Sequence, residues 1–155
     1  MSKKSKESKV PATYIRNRIQ LVRNVFVILD ADLAALYEVS TKVLIQAIKR
    51  NKERFPPDFM FQLTDDEEEN LRSQIVTSSW GGRRYNHYVF TFNGVAMTSS
   101  VLRSKRAIAT LQQIMRTFTK LQEAVIHERE MSHRVTRLEY DVGELKERMN
   151  IVYEI

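Results

Sequence analysis

The sequence predicts an α+β protein: a small helix-turn-helix domain with short strands and a β-hairpin wing, followed by a C-terminal coiled-coil helix. Three observations predict it. A pair of short amphipathic helices stands at 32–51, in DLAALYEVSTKVLIQAIKRN. Short β-branched or aromatic runs precede and follow that pair, and another two flank Gly81-Gly82. From Met131 onward, apolar residues recur at alternating spacings of four and three.

In the helix pair, Leu33, Leu36 and Tyr37 give the first helix one apolar face, and Leu44, Ala47 and Ile48 repeat the i, i+3, i+4 spacing in the second. Val39 fills the corner. Ser40 or Thr41 supplies a hydroxyl to cap the second helix. Lys42, Gln46, Lys49 and Glu53 fall on the opposite face with Arg50 beside them, so one helix packs while the next offers polar side chains to a groove. A plain helical hairpin has the same spacing; the basic, glutamine-bearing outer face is what points to DNA.

The other elements follow in order. Residues 1–19 read as a basic flexible arm, either solubilising or touching phosphates. VFVIL, ending at Leu29, reads as a strand. Phe55-Pro56-Pro57-Asp58 stops the second helix, because proline cannot continue it. FMFQL, from Phe59 to Leu63, is a second strand. Thr64 and Glu67 form a capping box, which places the acids from Asp65 to Glu69 in a helix's first turn, where the dipole favours them. Neighbouring helix positions fan around the axis, so these acids do not converge on one ion. Gln74–Trp80 and Arg83–Phe92, around the two glycines, read as a hairpin with Trp80, Arg83 and Arg84 at its tip. From Gly94 the chain reads as one or two helices, with a basic cluster of Arg103, Lys105 and Arg106 beside Leu102, near a break at Arg103-Ser104. Residues 20–120 thus form the DNA-binding domain.

Residues 121–155 form a separate unit. Met131, Val135, Leu138, Val142, Leu145, Met149 and Val152 are the seam of a coiled coil, with Val135, Val142 and Met149 at a and Leu138, Leu145 and Val152 at d. β-branched residues at a with leucine at d favour a parallel two-stranded coil. The pairs Arg134–Glu139 and Asp141–Lys146, at g and the following e, are opposite in sign. Glu128 falls at a and weakens the seam there, and Gly143 costs up to ~1 kcal/mol of helix propensity. An amphipathic helix packing on its own domain is the alternative.

Charge agrees with a polyanionic partner. The chain of 155 residues carries a net charge of +6, with a pI of about 9.6. The excess of Lys and Arg sits in the first 120 residues; the coil is net acidic. The absence of cysteine excludes disulfides and cysteine-based metal sites. No apolar run approaches the ~18 residues of a membrane span, and MSKKSKESKV lacks the apolar stretch of a secretory signal. A cytoplasmic, nucleoid-associated protein without a membrane partner is expected. Enzyme chemistry has little support. The three histidines are His87, His127 and His133, and the chain has no P-loop, HExxH or G-x-S-x-G. His87, between Tyr85 and Tyr88, reads as a packed or half-exposed strand residue. No catalytic residue, metal or cofactor is expected.

The residues LDADLAALYEVSTKVLIQAIKRNKERFPPDFMFQLT, LRSQIVTS, GGRRY, FTFNGVAM, SSVL and IMRTF stand in an order that resembles the ORF-six N-terminal domain family of phage and prophage proteins, relatives of the KilA-N and Bro-N domains. The resemblance runs from Val25 to about Phe118. It implies a DNA-binding module of phage regulators and antirepressor-like proteins, joined to a variable second segment that is here the coil. The family usually has Gly where Glu38 stands, which implies a less tight or slightly strained turn in this chain. It often has Asn where Ile45 stands, which implies one base reader fewer, and tends to have Glu-Gln at Phe92-Asn93.

The expectation is a phage-derived transcriptional regulator that binds double-stranded DNA as a homodimer. Lys42, Gln46, Lys49 and Arg50 would face the major groove, where glutamine reads adenine and arginine or lysine reads guanine. Thr41 and Lys52 suit phosphates. Arg83 and Arg84 would grip a minor groove or the backbone as a wing, unless they are simply a solvated tip. The alternative is an antirepressor-type interaction module that takes up a phage or host repressor through the coil.

Overall fold

The computed structural model describes residues 11–74, 85–102 and 105–153. The chain divides into two compact units, Met1–Phe118 and Thr119–Ile155. The architecture is α+β, with four antiparallel strands, several helices and one long C-terminal helix.

Helix α1 (Ala12–Arg18) leads into a hairpin of β1 (Ile19–Val22) and β2 (Val25–Leu29). The flexible arm expected over residues 1–19 is therefore corrected from Ala12 onward. Ile15 is fully buried and anchors α1, while Arg18 stacks 4.3 Å above Tyr14 and lies 3.6 Å from Asp32. Residues 1–10 lie outside the described ones. Arg23 and Asn24 make the hairpin turn with φ of 52° and 62°. Two positive φ values match a right-twisted two-residue turn, and asparagine tolerates them better than arginine does. Arg23 is tied down through its side chain. It donates hydrogen bonds of 2.9 and 2.8 Å to the Glu67 carboxylate and stacks 4.2 Å above Phe61.

Helix α2 (Asp30–Tyr37) and helix α3 (Thr41–Arg50) follow, then a single 3-10 turn at Lys52–Arg54. After β3 (Met60–Gln62) comes α4 (Asp65–Gln74), opened by the expected capping box. Glu67 N–H donates to Thr64 Oγ1 at 3.2 Å, and Thr64 N–H to Glu67 Oε1 at 3.0 Å. Strand β4 (Tyr88–Phe90) leads into α5 (Phe92–Thr98), and α6 (Lys105–Tyr153) ends the described chain.

The strand order β1-β2-β4-β3 puts β4 inside the sheet, paired with both β2 and β3. This corrects the reading of 83–92 as one arm of a local hairpin. Val89 and Phe90 are both fully buried, because the two faces of this central strand are covered. Gln74, placed at the start of the other arm, instead ends α4, and Phe92 already belongs to α5. The tip itself, Trp80 to Arg84, lies outside the described residues.

Alternation along the strands separates two faces. Val22, Val27, Leu29 and Val89 form one cluster with Phe61, Leu63 and Leu71 of α4. Ile28 and Phe90 lie on the other face, where Phe55 meets Phe90 edge-on at 6.3 Å between ring centroids. Helix α5 approaches that layer so closely that a Cβ on Gly94 would collide with the backbone carbonyl of Phe59. Glycine is required there by proximity, and Thr91 fixes the approach. Its hydroxyl accepts from Gly94 N–H at 3.3 Å and donates to Asp58 C=O at 2.7 Å.

In α6, Ala107, Ile114 and Phe118 are buried. From 119 to 151 no residue is buried, and Met131, Val135, Leu138, Val142, Leu145 and Met149 are all exposed. Val152 lies within the helix.

Candidate nucleic-acid interface

Helices α2 and α3 are joined by a turn whose geometry is set at Glu38 and Ser40. Glu38 adopts the left-handed conformation with φ 56° and ψ 39°, the position where helices commonly end on glycine. Its N–H donates to Ala35 C=O at 3.1 Å, and Val39 N–H donates to Ala34 C=O at 3.0 Å. The strain implied by a glutamate at a usual glycine position is thus present in the backbone. Of the two candidate caps, Ser40 is the one used: its Oγ accepts from Val43 N–H at 3.1 Å.

The pair is clamped from inside. Leu33, Ala34, Leu36 and Tyr37 of α2 are buried, as are Leu44, Ile45 and Ile48 of α3. The Tyr37 hydroxyl lies 2.8 Å from Thr98 Oγ1 of α5, and burial pushes its pKa up to about 12. At the far end Asn51 Nδ2 donates to Ala47 C=O at 2.8 Å, and buried Phe55 anchors the exit. Helix α3 is therefore held at both ends while one face stays in water.

That face carries Lys42, Val43, Gln46, Lys49 and Arg50, all exposed, with Thr41 and Ala47 half-buried at its margins. Lys52 and Glu53 are exposed in the 3-10 turn that follows. Ile45 is buried, so its position is not on the outward face; the reading of Ile45 as a lost base reader is corrected. Among the described residues, Lys42, Lys49, Arg50 and Lys52 make no ion pair. Arg18 and Arg23, by contrast, are engaged by Asp32 and Glu67. Thr41, Lys42, Gln46, Lys49, Arg50 and Lys52 thus occupy one helix and the turn after it. Arg83 and Arg84 lie outside the described residues. Arg54, which the sequence did not single out, sends Nη1 to Ser100 C=O at 3.5 Å.

His87 immediately precedes β4 and is buried. Its Nδ1 lies 3.1 Å from Glu68 Oε1, its N–H donates to the same oxygen, and Nε2 stands 4.0 Å from Asp30 Oδ1. Asp30 in turn accepts from Tyr88 N–H at 3.2 Å and from Ala31 N–H at 2.7 Å. Two carboxylates, from α2 and α4, thus fasten the entry to the central strand. Among the described residues no group of three or more His, Asp or Glu side chains is arranged to hold a metal ion, and no helix is long and apolar enough to cross a membrane.

The ORF6N domain model matches residues 17–101, from the end of α1 through α5. The chain belongs to the ORF6N family. No curated protein and no solved structure matches it. The match to this phage-type domain ends before α6.

Proposed function

We propose that this ORF6N protein is a phage-derived regulator that binds duplex DNA without catalysing a reaction, and that it acts as a homodimer in the cytoplasm, at the nucleoid. The observation that carries the reading is the outward face of α3. A helix clamped at both ends presents three cations and a glutamine, and its cations have no acidic partner among the described residues. Lys42, Gln46, Lys49 and Arg50 enter the major groove; Thr41 and Lys52 reach phosphates, which fix register without reading sequence. Arg83 and Arg84 belong to the same reading as contacts to a groove or to the backbone.

The seam of α6 brings two copies together, so the operator carries two half-sites. Its exposed row of apolar residues also favours a second reading, in which the coil captures a repressor. Fluorescence anisotropy of a random-sequence duplex across a salt series tests the first. Log affinity should fall linearly with log salt, with a slope of about −0.9 for each phosphate that a lysine or arginine neutralises. Absence of binding at low salt, together with capture of a repressor, would favour the second reading.

A further inference from the structure

Val43 is the one apolar side chain on the exposed face of α3, and it is 48% exposed. Single exposed valines are ordinary on protein surfaces, but the place of this one is not. It lies in the first turn of α3, between Lys42 and Gln46, at the end of the helix with which helix-turn-helix proteins touch base edges. Helix propensity does not favour a β-branched residue there, and the core contacts of α3 come from Leu44, Ile45 and Ile48 instead. Gln46 stands at i+3 on the same flank. Three residues rise about 4.5 Å along a helix, close to the ~3.4 Å step between bases on one strand. Val43 and Gln46 therefore reach the same base pair or adjacent ones.

The major groove offers one apolar group, the C5-methyl of thymine, and glutamine pairs with adenine N6 and N7. We infer that Val43 packs on a thymine methyl and, with Gln46, makes A·T pairs the preferred content of each half-site. This inference rests on the DNA-binding reading of α3.

The test starts from duplexes that the wild-type protein recovers from a randomised library. Each thymine of a recovered duplex is replaced in turn by deoxyuridine, which removes only the methyl group. Wild type should lose about fourfold in affinity at one position per half-site, the value of one buried methyl. Val43→Ala should bind the thymine and uracil duplexes equally, with an unchanged salt slope, and Val43→Thr, which keeps one methyl, should retain part of the preference. Equal uracil penalties in wild type and Val43→Ala at every position would overturn the inference and leave DNA binding standing. So would recovered duplexes without a shared A·T position. Failure of wild type to bind any duplex at low salt would overturn both.

Discussion

Helix α6 contains two stretches with opposite burial. Up to Phe118 it is part of the first unit, with Ala107, Ile114 and Phe118 buried. Beyond that residue Met131, Val135, Leu138, Val142, Leu145 and Met149 face water, Leu138 at 62% exposed. One stretch has its hydrophobic partners within its own unit, and the other has the same kind of residues in heptad register with none of them buried among the described residues. The family match, residues 17–101, covers neither stretch. On the proposed function the contrast separates a unit that completes its core in one copy from a unit whose seam would be completed by a second copy.

The largest effect that would sharpen this contrast is expected in the first unit. Gly94→Ala forces a Cβ into the Phe59 carbonyl and should cost about 3 kcal/mol or more, lowering Tm by over about 10 °C. A near-normal thermal melt would contradict that packing. In the second unit Leu138→Asp should leave the melt of the first unit intact but weaken self-association at least about 30-fold, read by sedimentation equilibrium. A wild-type chain that stays monomeric at high concentration would break the comparison.

Two smaller effects belong to the first unit alone. The Arg23 guanidinium holds the Glu67 carboxyl at about 2, below its ordinary 4.5. The folded state therefore binds fewer protons than the unfolded one, and the stabilisation is present above pH 4.5 and fades as pH falls towards 2. Arg23 is half exposed, which limits the pair to about 1 kcal/mol. Glu67→Gln should flatten acid unfolding in that window, and an unaltered profile would remove the pair from the account. Glu38→Gly relieves the left-handed turn and should stabilise by about 0.5–1 kcal/mol in urea titration. A loss of stability would show that the glutamate side chain outweighs the strain.

What the sequence disclosed was mostly local. The α2–α3 pair was legible because its apolar spacing, Ser40 and the Phe55-Pro56-Pro57 stop all lie within one short stretch. The Thr64–Glu67 box was legible for the same reason. Long-range features were not. His87, Glu68 and Asp30 come from three separate segments, and nothing near any of them announces the meeting. The central place of β4 depends on pairing with β2 and β3, which a run beside Gly81-Gly82 conceals. A single isoleucine, Ile15, anchors α1, too little for a periodic signal. In the candidate interface, spacing named the polar residues of α3, but exposure was needed to add Val43 and to turn Ile45 inward.

The most direct measurement compares duplex binding by wild type and by a Lys42→Ala, Lys49→Ala, Arg50→Ala triple variant over a salt series. These side chains are exposed and outside the core, so the variant should fold and melt like wild type. The account predicts that wild type binds a random-sequence duplex with a steep salt dependence, and that the variant loses most of that affinity. Equal affinities and slopes for the two proteins would contradict the assignment of α3 as the DNA-binding face.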